Sequence, residues 1–258
     1  LLQTLDFSSA SFLPRPNVRP FHFQAVLNPF NLSDAIVTVM YKEPFRNDYP
    51  RYVPDTNKAG PGEDAPVILG QLTETLPVLT PLVVSQAIKA GYVPITNAWG
   101  THGEIFANVV ARGRVLSTAI GIPVDRTNEV LGLALDINKR HPFAGVFSCR
   151  YVKQSGATLA FTQYPHTCIL EFDSFDSPPT WQFYHAVWDA LEGAGIPHTF
   201  HWGKLHNLNA ERLRRSYGGK VDEWILARNK ILPKEMLPVF TNQFMKDIVV
   251  DTVLSPAV

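Results

Sequence analysis

The stretch Gly145-Val146-Phe147-Ser148-Cys149-Arg150-Tyr151-Val152 decides the fold, because its aromatic and β-branched residues are typical of a strand. Two further runs of this kind follow at residues 158–163 and 167–172. Earlier in the chain, residues 21–26 and 35–41 form a similar pair, separated by an Asn-Pro-Phe-Asn segment that predicts a turn. Short strands that adjoin in this way predict an antiparallel sheet.

Three segments predict helices. Residues 67–90 carry apolar residues at helical spacing, but two prolines interrupt them, which predicts two helices or one kinked helix. Asp125 or Thr127 caps a second helix, and Ser177-Pro178-Pro179-Thr180 opens a third that ends near Gly193. Strands outnumber helices, so the predicted fold class is α+β, with an antiparallel (mixed) sheet covered by helices on one face.

Two connections are also predicted from their composition. Residues 43–66 are rich in proline, glycine and charge, which indicates an exposed irregular loop. Residues 104–111 and 114–121 read as two strands of a hairpin around Arg112-Gly113.

Composition excludes several classes of function. The 258 residues are 45% hydrophobic and 18% charged, which indicates a globular chain of one large domain or a domain with a satellite. Lys and Arg together number 23, as do Asp and Glu, so no net charge favours nucleic acid or an anionic membrane surface. No apolar run reaches eighteen residues, so no membrane span is predicted. The cellular compartment stays undecided.

Familiar catalytic motifs are missing from the sequence. It has no Gly-x-Ser-x-Gly elbow, no phosphate-binding P-loop and no Gly-x-Gly-x-x-Gly fingerprint, which argues against a self-contained hydrolase, kinase or NAD enzyme. Cys149 and Cys168 are too few for a disulfide framework. The three histidines at 198, 201 and 206 lack metal-ligand spacing, so no metal is predicted.

One strand carries a candidate charged site. Side chains alternate along a strand, so Ser148 and Arg150 lie on the same face of residues 145–152. An arginine on a buried sheet needs an anion or a strong acceptor, because its charge cannot be removed. Arg150 therefore either points into a functional cavity or pairs with a neighbouring carboxylate such as Glu171 or Asp173.

A second candidate follows at His201-Trp202-Gly203-Lys204. Glycine allows close backbone approach and tryptophan offers a flat wall. A desolvated Lys204 near Arg150 would have a lowered pKa and serve either as a base or as a cation that stabilises an oxyanion. We expect Arg150 and Lys204 to converge on one pocket at the edge of the sheet. His102, in a loop, is a candidate substrate contact.

The His-Trp-Gly-Lys segment, followed by Pro238-Val239-Phe240-Thr241-Asn242-Gln243-Phe244, resembles the closing segment of the FAD-linked oxidases of the vanillyl-alcohol oxidase superfamily. That group includes sugar-lactone oxidases, alditol oxidases and covalent-flavin cholesterol oxidases. The strand of Arg150 resembles the family's Glu-x-Arg pattern, whose arginine points at the reactive edge of the flavin. Ser148 stands where the family has the glutamate.

The resemblance implies the roles of individual residues. Arg150 and Lys204 are then catalytic, and Ser148 and His102 contact substrate. The residues implied to contact FAD are His201, Trp202, Gly203 and Asn242. The implied activity is oxidation of a CH–OH donor (a sterol, a sugar lactone or another alcohol) by hydride transfer to FAD.

The resemblance also implies a domain organisation. The family's N-terminal FAD-binding domain has no counterpart in the sequence, which begins at Leu1. We therefore expect a substrate-binding cap domain over residues 1–200 and a tail over residues 201–258 that returns to the flavin domain. The expected partners are this missing FAD-binding domain and a small-molecule alcohol. The alternative is a non-catalytic α+β binding module.

Overall fold

The structure is a computed structural model that describes residues 1–52, 65–91, 95–105 and 115–249. These residues form a six-stranded sheet in the order β2-β1-β4-β5-β3-β6, and each pair of neighbouring strands is antiparallel. The strands are β1 (His22–Asn28), β2 (Asn31–Met40), β3 (Val115–Pro123), β4 (Val146–Lys153), β5 (His166–Phe175) and β6 (Thr199–Phe200). The prediction of an antiparallel sheet is confirmed.

The described residues also form helices, which separate and follow the strands in the chain, so the predicted α+β class is confirmed as well. They are α1 (Ala65–Thr75), α2 (Thr80–Gly91), α3 (His102–Ile105), α4 (Thr127–Arg140), α5 (Pro178–Gly193), α6 (Ala210–Tyr217), α7 (Lys220–Ile231) and α8 (Gln243–Val249). α5 begins at two prolines, whose missing N–H groups cost nothing in the first helical turn.

The main core lies between the sheet and the helices α4 and α5. Phe147, Leu170 and Phe172 point from the sheet toward Val130 and Ala134 of α4, and all five side chains belong to one buried cluster. From α5 the cluster takes Phe183, Tyr184, Val187, Trp188 and Leu191. Alternation along β4 and β5 sends their polar residues to the opposite face of the sheet.

The predicted helical segment at residues 67–90 is two helices. α1 and α2 are separated by a 3₁₀ turn at Pro77–Leu79, where a proline cannot continue the helical hydrogen bonds. The pair packs near the end of the sheet, where Asn28 Nδ2 donates to Ser85 Oγ over 3.0 Å. Among the described residues no single helix is long and apolar enough to cross a membrane, although this pair, bent by 119°, passes that test jointly.

The C-terminal helices join the same core as the sheet. Leu213, Tyr217, Val221 and Ile225, from α6 and α7, belong to the buried cluster that contains the sheet residues. The boundary at residue 200 between a cap and a tail stays a prediction.

Two sequence-based assignments need correction. Residues 158–163 form turns rather than a strand: Ala160 N donates to Ala157 O, and Ser155 N donates to Thr162 O, so the segment satisfies its backbone within the loop. Residues 104 and 105 belong to the short helix α3 rather than to a strand. The rest of that strand and the Arg112-Gly113 turn lie outside the described residues, as do residues 53–64 of the predicted loop.

Candidate active site

The side chains of the candidate site come from three central strands and project from the face opposite α4 and α5. Ser148 of β4 lies directly opposite Glu171 of β5, and Arg150 follows two residues after Ser148 on the same face. On the other side of β5, Ser117 of β3 lies opposite Asp173. The cross-strand register therefore gathers a guanidinium, two carboxylates and two hydroxyls in one patch.

Glu171 is the centre of this patch. Its side chain is only 4% exposed, and it forms ion pairs with both Arg150 and Lys204. Arg150 Nη1 contacts one carboxylate oxygen, Oε2, and Lys204 Nζ contacts the other, Oε1. Ser148 Oγ lies 3.4 Å from Oε2. A buried carboxylate is tolerated here because each of its oxygens accepts from a cation.

A bulge in the backbone brings Lys204 to Glu171. His201 N donates to Ala119 O, and Leu205 N donates to Ser117 O, so the chain continues alongside β3 beyond β6. In a regular ladder, residue 203 would lie opposite Ser117. Leu205 lies there instead, so the segment between His201 and Leu205 contains two additional residues. A bulge of this kind re-aims side chains. It directs the Lys204 amine onto the charged face, where Nζ lies 2.8 Å from Ser117 Oγ.

Gly203 lies against the imidazole of His201 inside this bulge. Gly203 N donates to His201 Nδ1 over 3.0 Å. A Cβ at residue 203 would lie 3.0 Å from His201 Cε1, closer than side chains normally pack. The close approach expected for this glycine is thus its approach to the side chain of His201, two residues earlier.

The electrostatics distinguish the two cations. Burial, followed by the charge of Arg150, lowers the pKa of Lys204 from 10.5 to about 8. The contact with Glu171 opposes this shift, since an anion favours the charged amine. Arg150 keeps its charge at any working pH. Lys204 is therefore the one of the two cations whose pKa the surroundings can shift.

Both cations remain accessible above the buried carboxylate. The side chain of Arg150 is 40% exposed and that of Lys204 is 27% exposed. The two cations thus present positive charge outward while the negative charge of Glu171 is covered. Such a surface suits an electron-rich ring edge or a developing oxyanion.

The opposite carboxyl group of β5 behaves differently from Glu171. Burial raises the pKa of Asp173, while a hydrogen bond with Ser117 and the charge of Arg150 oppose that rise. The Ser117 hydroxyl consequently connects Lys204 to Asp173.

His22 of β1 lies near Arg150, and His102 lies near His22. His22 of β1 is half-buried, and burial together with the charges of Arg150 and His102 lowers its pKa. The candidate substrate contact His102, at the start of α3, is therefore close enough to influence His22 electrostatically. Its role as a substrate contact stays a prediction.

The residues implied to contact FAD lie in different parts of the structure. The His201 ring packs edge-on against Phe161 at 4.9 Å, and the Trp202 ring packs against Phe244 of α8 at 5.7 Å. Asn242 Oδ1 accepts from Met245 N over 2.9 Å and so caps α8. The structure joins Trp202 to the C-terminal helices and Lys204 to the sheet, and the FAD contacts remain predictions.

Of the two alternatives for Arg150, the structure shows the ion pair with a neighbouring carboxylate, Glu171, and the functional cavity stays a prediction. Arg150 converges with Lys204, and it also pairs with Glu171. The expected position at the edge of the sheet is wrong, because β4, β5 and β3 are interior strands. Sequence reasoning named Glu171 only as one of two carboxylates that could pair with Arg150. The alternation of Leu170, Glu171 and Phe172 carried the signal, since a charged residue between two core residues must face the other side of the sheet.

Fold and site together define a class of protein: an α+β domain that holds a paired set of charges on one face of an antiparallel sheet. The chain belongs to the D-arabinono-1,4-lactone oxidase family, whose family model matches residues 62–248. This match confirms the resemblance to sugar-lactone oxidases. No curated protein matches the chain.

The residues present fit the reactive edge of a flavin. Two partly exposed cations over a buried carboxylate match the charge that a flavin edge gains on reduction. Among the described residues no group of three or more His, Cys, Asp or Glu side chains is placed to hold a metal ion.

Proposed function

We propose that the protein carrying this chain is an FAD-dependent oxidoreductase that oxidises a CH–OH group of a sugar lactone or a related alcohol. The observation that carries the proposal is the junction of Arg150 and Lys204 on Glu171. These residues lie in the segments that resemble the family's Glu-x-Arg and His-Trp-Gly-Lys patterns, within the range that the family model matches. The FAD would be held largely by a domain outside this chain and would accept the hydride.

The two cations then take different tasks. Arg150 stabilises negative charge as it develops, because its guanidinium is permanently protonated and partly exposed. Lys204 receives the hydroxyl proton of the substrate, since burial and the charge of Arg150 lower its pKa toward the range in which an amine acts as a base. Glu171 holds the two cations side by side and offsets their repulsion.

Glu171 also accounts for the serine at the family's glutamate position. Ser148 and Glu171 are cross-strand partners, so a carboxylate on β5 reaches the space that a glutamate on β4 would occupy. We therefore assign the carboxylate of this site to Glu171 and a supporting hydroxyl to Ser148.

The test is anaerobic reduction of the flavin in the complete protein. Purified protein with bound FAD is mixed with aldono-lactones, alditols and sterols, and the loss of oxidised-flavin absorbance is followed. The proposal predicts rapid bleaching with at least one lactone or polyol. A flavin that no CH–OH donor reduces would overturn it and favour the non-catalytic binding module.

A further inference from the structure

We infer that Ser117 and Asp173 form a proton relay that returns Lys204 to its neutral form after each oxidation. The inference rests on the proposed function, because the proton it carries is the one that Lys204 takes from the substrate hydroxyl. It gives a role to Ser117 on β3 and to Asp173 on β5, which are not part of the motifs that carry the family resemblance.

The proposed path runs from Lys204 through Ser117 to the cross-strand Asp173. Lys204 Nζ donates to Ser117 Oγ over 2.8 Å. Ser117 lies directly opposite Asp173 in the β3–β5 register, and its hydroxyl lowers the pKa of that carboxyl group. A serine hydroxyl has one donor and two acceptor positions, so it can accept from the lysine and donate to the carboxylate simultaneously.

The transfer balances in protons and charge. A proton leaves the Lys204 ammonium for Ser117 Oγ as the hydroxyl proton of Ser117 moves to a carboxylate oxygen of Asp173. The amine becomes neutral, the carboxyl group becomes protonated, and the serine ends as it began. Asp173 is only partly buried, so it then releases the proton to water.

Asp173 suits this role better than Glu171 does. Both oxygens of Glu171 already accept from cations, and its side chain is almost wholly buried. Burial raises the pKa of Asp173, which brings it closer to that of Lys204 and lowers the cost of the transfer.

The charged and titratable neighbours of the relay come from each element packed around it. Arg150 of β4 and Glu171 of β5 face Lys204. Burial and the charge of Asp173 raise the pKa of Tyr184 of α5, whose hydroxyl donates to the carbonyl oxygens of Phe172 and Leu116 at 2.8 and 3.1 Å. Within the described residues this leaves Ser117 as the direct link between Lys204 and Asp173.

The test separates the chemical step from the recovery of Lys204. For Asp173→Ala in the complete flavoprotein, we expect single-turnover flavin reduction within about twofold of the unaltered protein. The steady-state kcat should fall about tenfold, and added formate should restore it by replacing the lost carboxylate. If kcat and single-turnover reduction fall together without rescue, the relay is overturned and Asp173 is structural.

Ser117 offers a matched pair of variants. Ser117→Ala removes the hydroxyl and should lower kcat about as much as Asp173→Ala, whereas Ser117→Thr keeps a hydroxyl on a strand residue and should retain most of the rate. Equal rates for the alanine and threonine variants would overturn the relay. Asp136→Asn, on the outer surface of α4, controls for loss of an acidic residue.

A readout without turnover keeps the relay testable if the proposed function fails. The Lys204 amine is titrated by NMR in the unaltered protein and in Asp173→Asn. Because an ionised Asp173 stabilises the ammonium through Ser117, the variant should titrate at a lower pH. Identical titrations in the two proteins would overturn the link between Lys204 and Asp173 itself. A shifted titration in a protein that reduces no flavin would contradict only the proposed function.

Discussion

Ser148 and Glu171 face each other across β4 and β5, with Ser148 Oγ 3.4 Å from Glu171 Oε2. The carboxylate that a Glu-x-Arg pattern carries two residues before its arginine is supplied here from the adjacent strand. The carboxylate beside Arg150 therefore comes from β5 and not from the residue two positions before Arg150 on β4.

Loss of the Glu171 charge should destabilise the fold. Glu171→Gln leaves Arg150 and Lys204 facing each other without their shared anion. We expect the free energy of unfolding to fall by about 1–3 kcal/mol, at the lower end because both cations can reach solvent. Urea unfolding measures this change. Ser148→Ala, which removes only a long hydrogen bond, is the control and should cost less; an equal cost for the two variants would contradict the central place of Glu171.

Exchanging the two side chains tests whether position in space is what matters. Ser148→Glu combined with Glu171→Ser moves the carboxylate from β5 to β4 while keeping the same groups between the strands. We expect the double variant to unfold with a higher free energy than Glu171→Ser alone, since the anion again lies between the cations. A double variant no more stable than Glu171→Ser would show that the strand of origin matters.

The pKa of Lys204 predicts how stability depends on pH. The folded protein holds this pKa at about 8, below the 10.5 of an unperturbed lysine. Between those values the unfolded chain binds more protons, so this group makes the folded state more stable as pH rises. The unfolding free energy of the unaltered protein should therefore gain on that of Lys204→Met between about pH 7.5 and about pH 10. Parallel curves for the two proteins would show that Lys204 titrates normally.

Two glycines should respond oppositely to alanine. A Cβ at Gly203 meets the His201 ring at 3.0 Å, so Gly203→Ala should cost about 1–3 kcal/mol of unfolding free energy and displace the bulge that carries Lys204. A Cβ at Gly132, inside α4, meets nothing within 4 Å, so Gly132→Ala should stabilise the protein by roughly 0.5–1 kcal/mol. Thermal unfolding of both variants checks the signs, and a neutral Gly203→Ala would remove the packing argument for this glycine.

Local signals in the sequence predicted much of the fold. Pro77 separates two helices because a proline lacks the N–H that a helix interior needs, and the apolar spacing of α4 and α5 matches their buried faces. The prediction of a strand over residues 158–163 was wrong because a short apolar run alone does not distinguish a strand from a loop that packs on the sheet. There the turn at Ala157–Ala160 closes the backbone locally.

The site was less predictable because it depends on register. Alternation placed Ser148 and Arg150 on one face, but only pairing between distant strands reveals that Glu171 lies opposite Ser148 and that Asp173 lies opposite Ser117. A shift of one residue in that pairing would have sent both carboxylates elsewhere. The bulge that aims Lys204 is likewise a property of two strands together.

The most direct test of the account is the rate of flavin reduction in Lys204→Ala. In the complete protein, with its best CH–OH donor under anaerobic conditions, the account predicts a fall of about 10²- to 10³-fold relative to the unaltered protein. Lys139→Ala, which removes an exposed amine from α4, is the matched control and should reduce its flavin at the normal rate. A Lys204→Ala rate equal to that of Lys139→Ala would contradict the assignment of the Arg150–Glu171–Lys204 cluster as the active site.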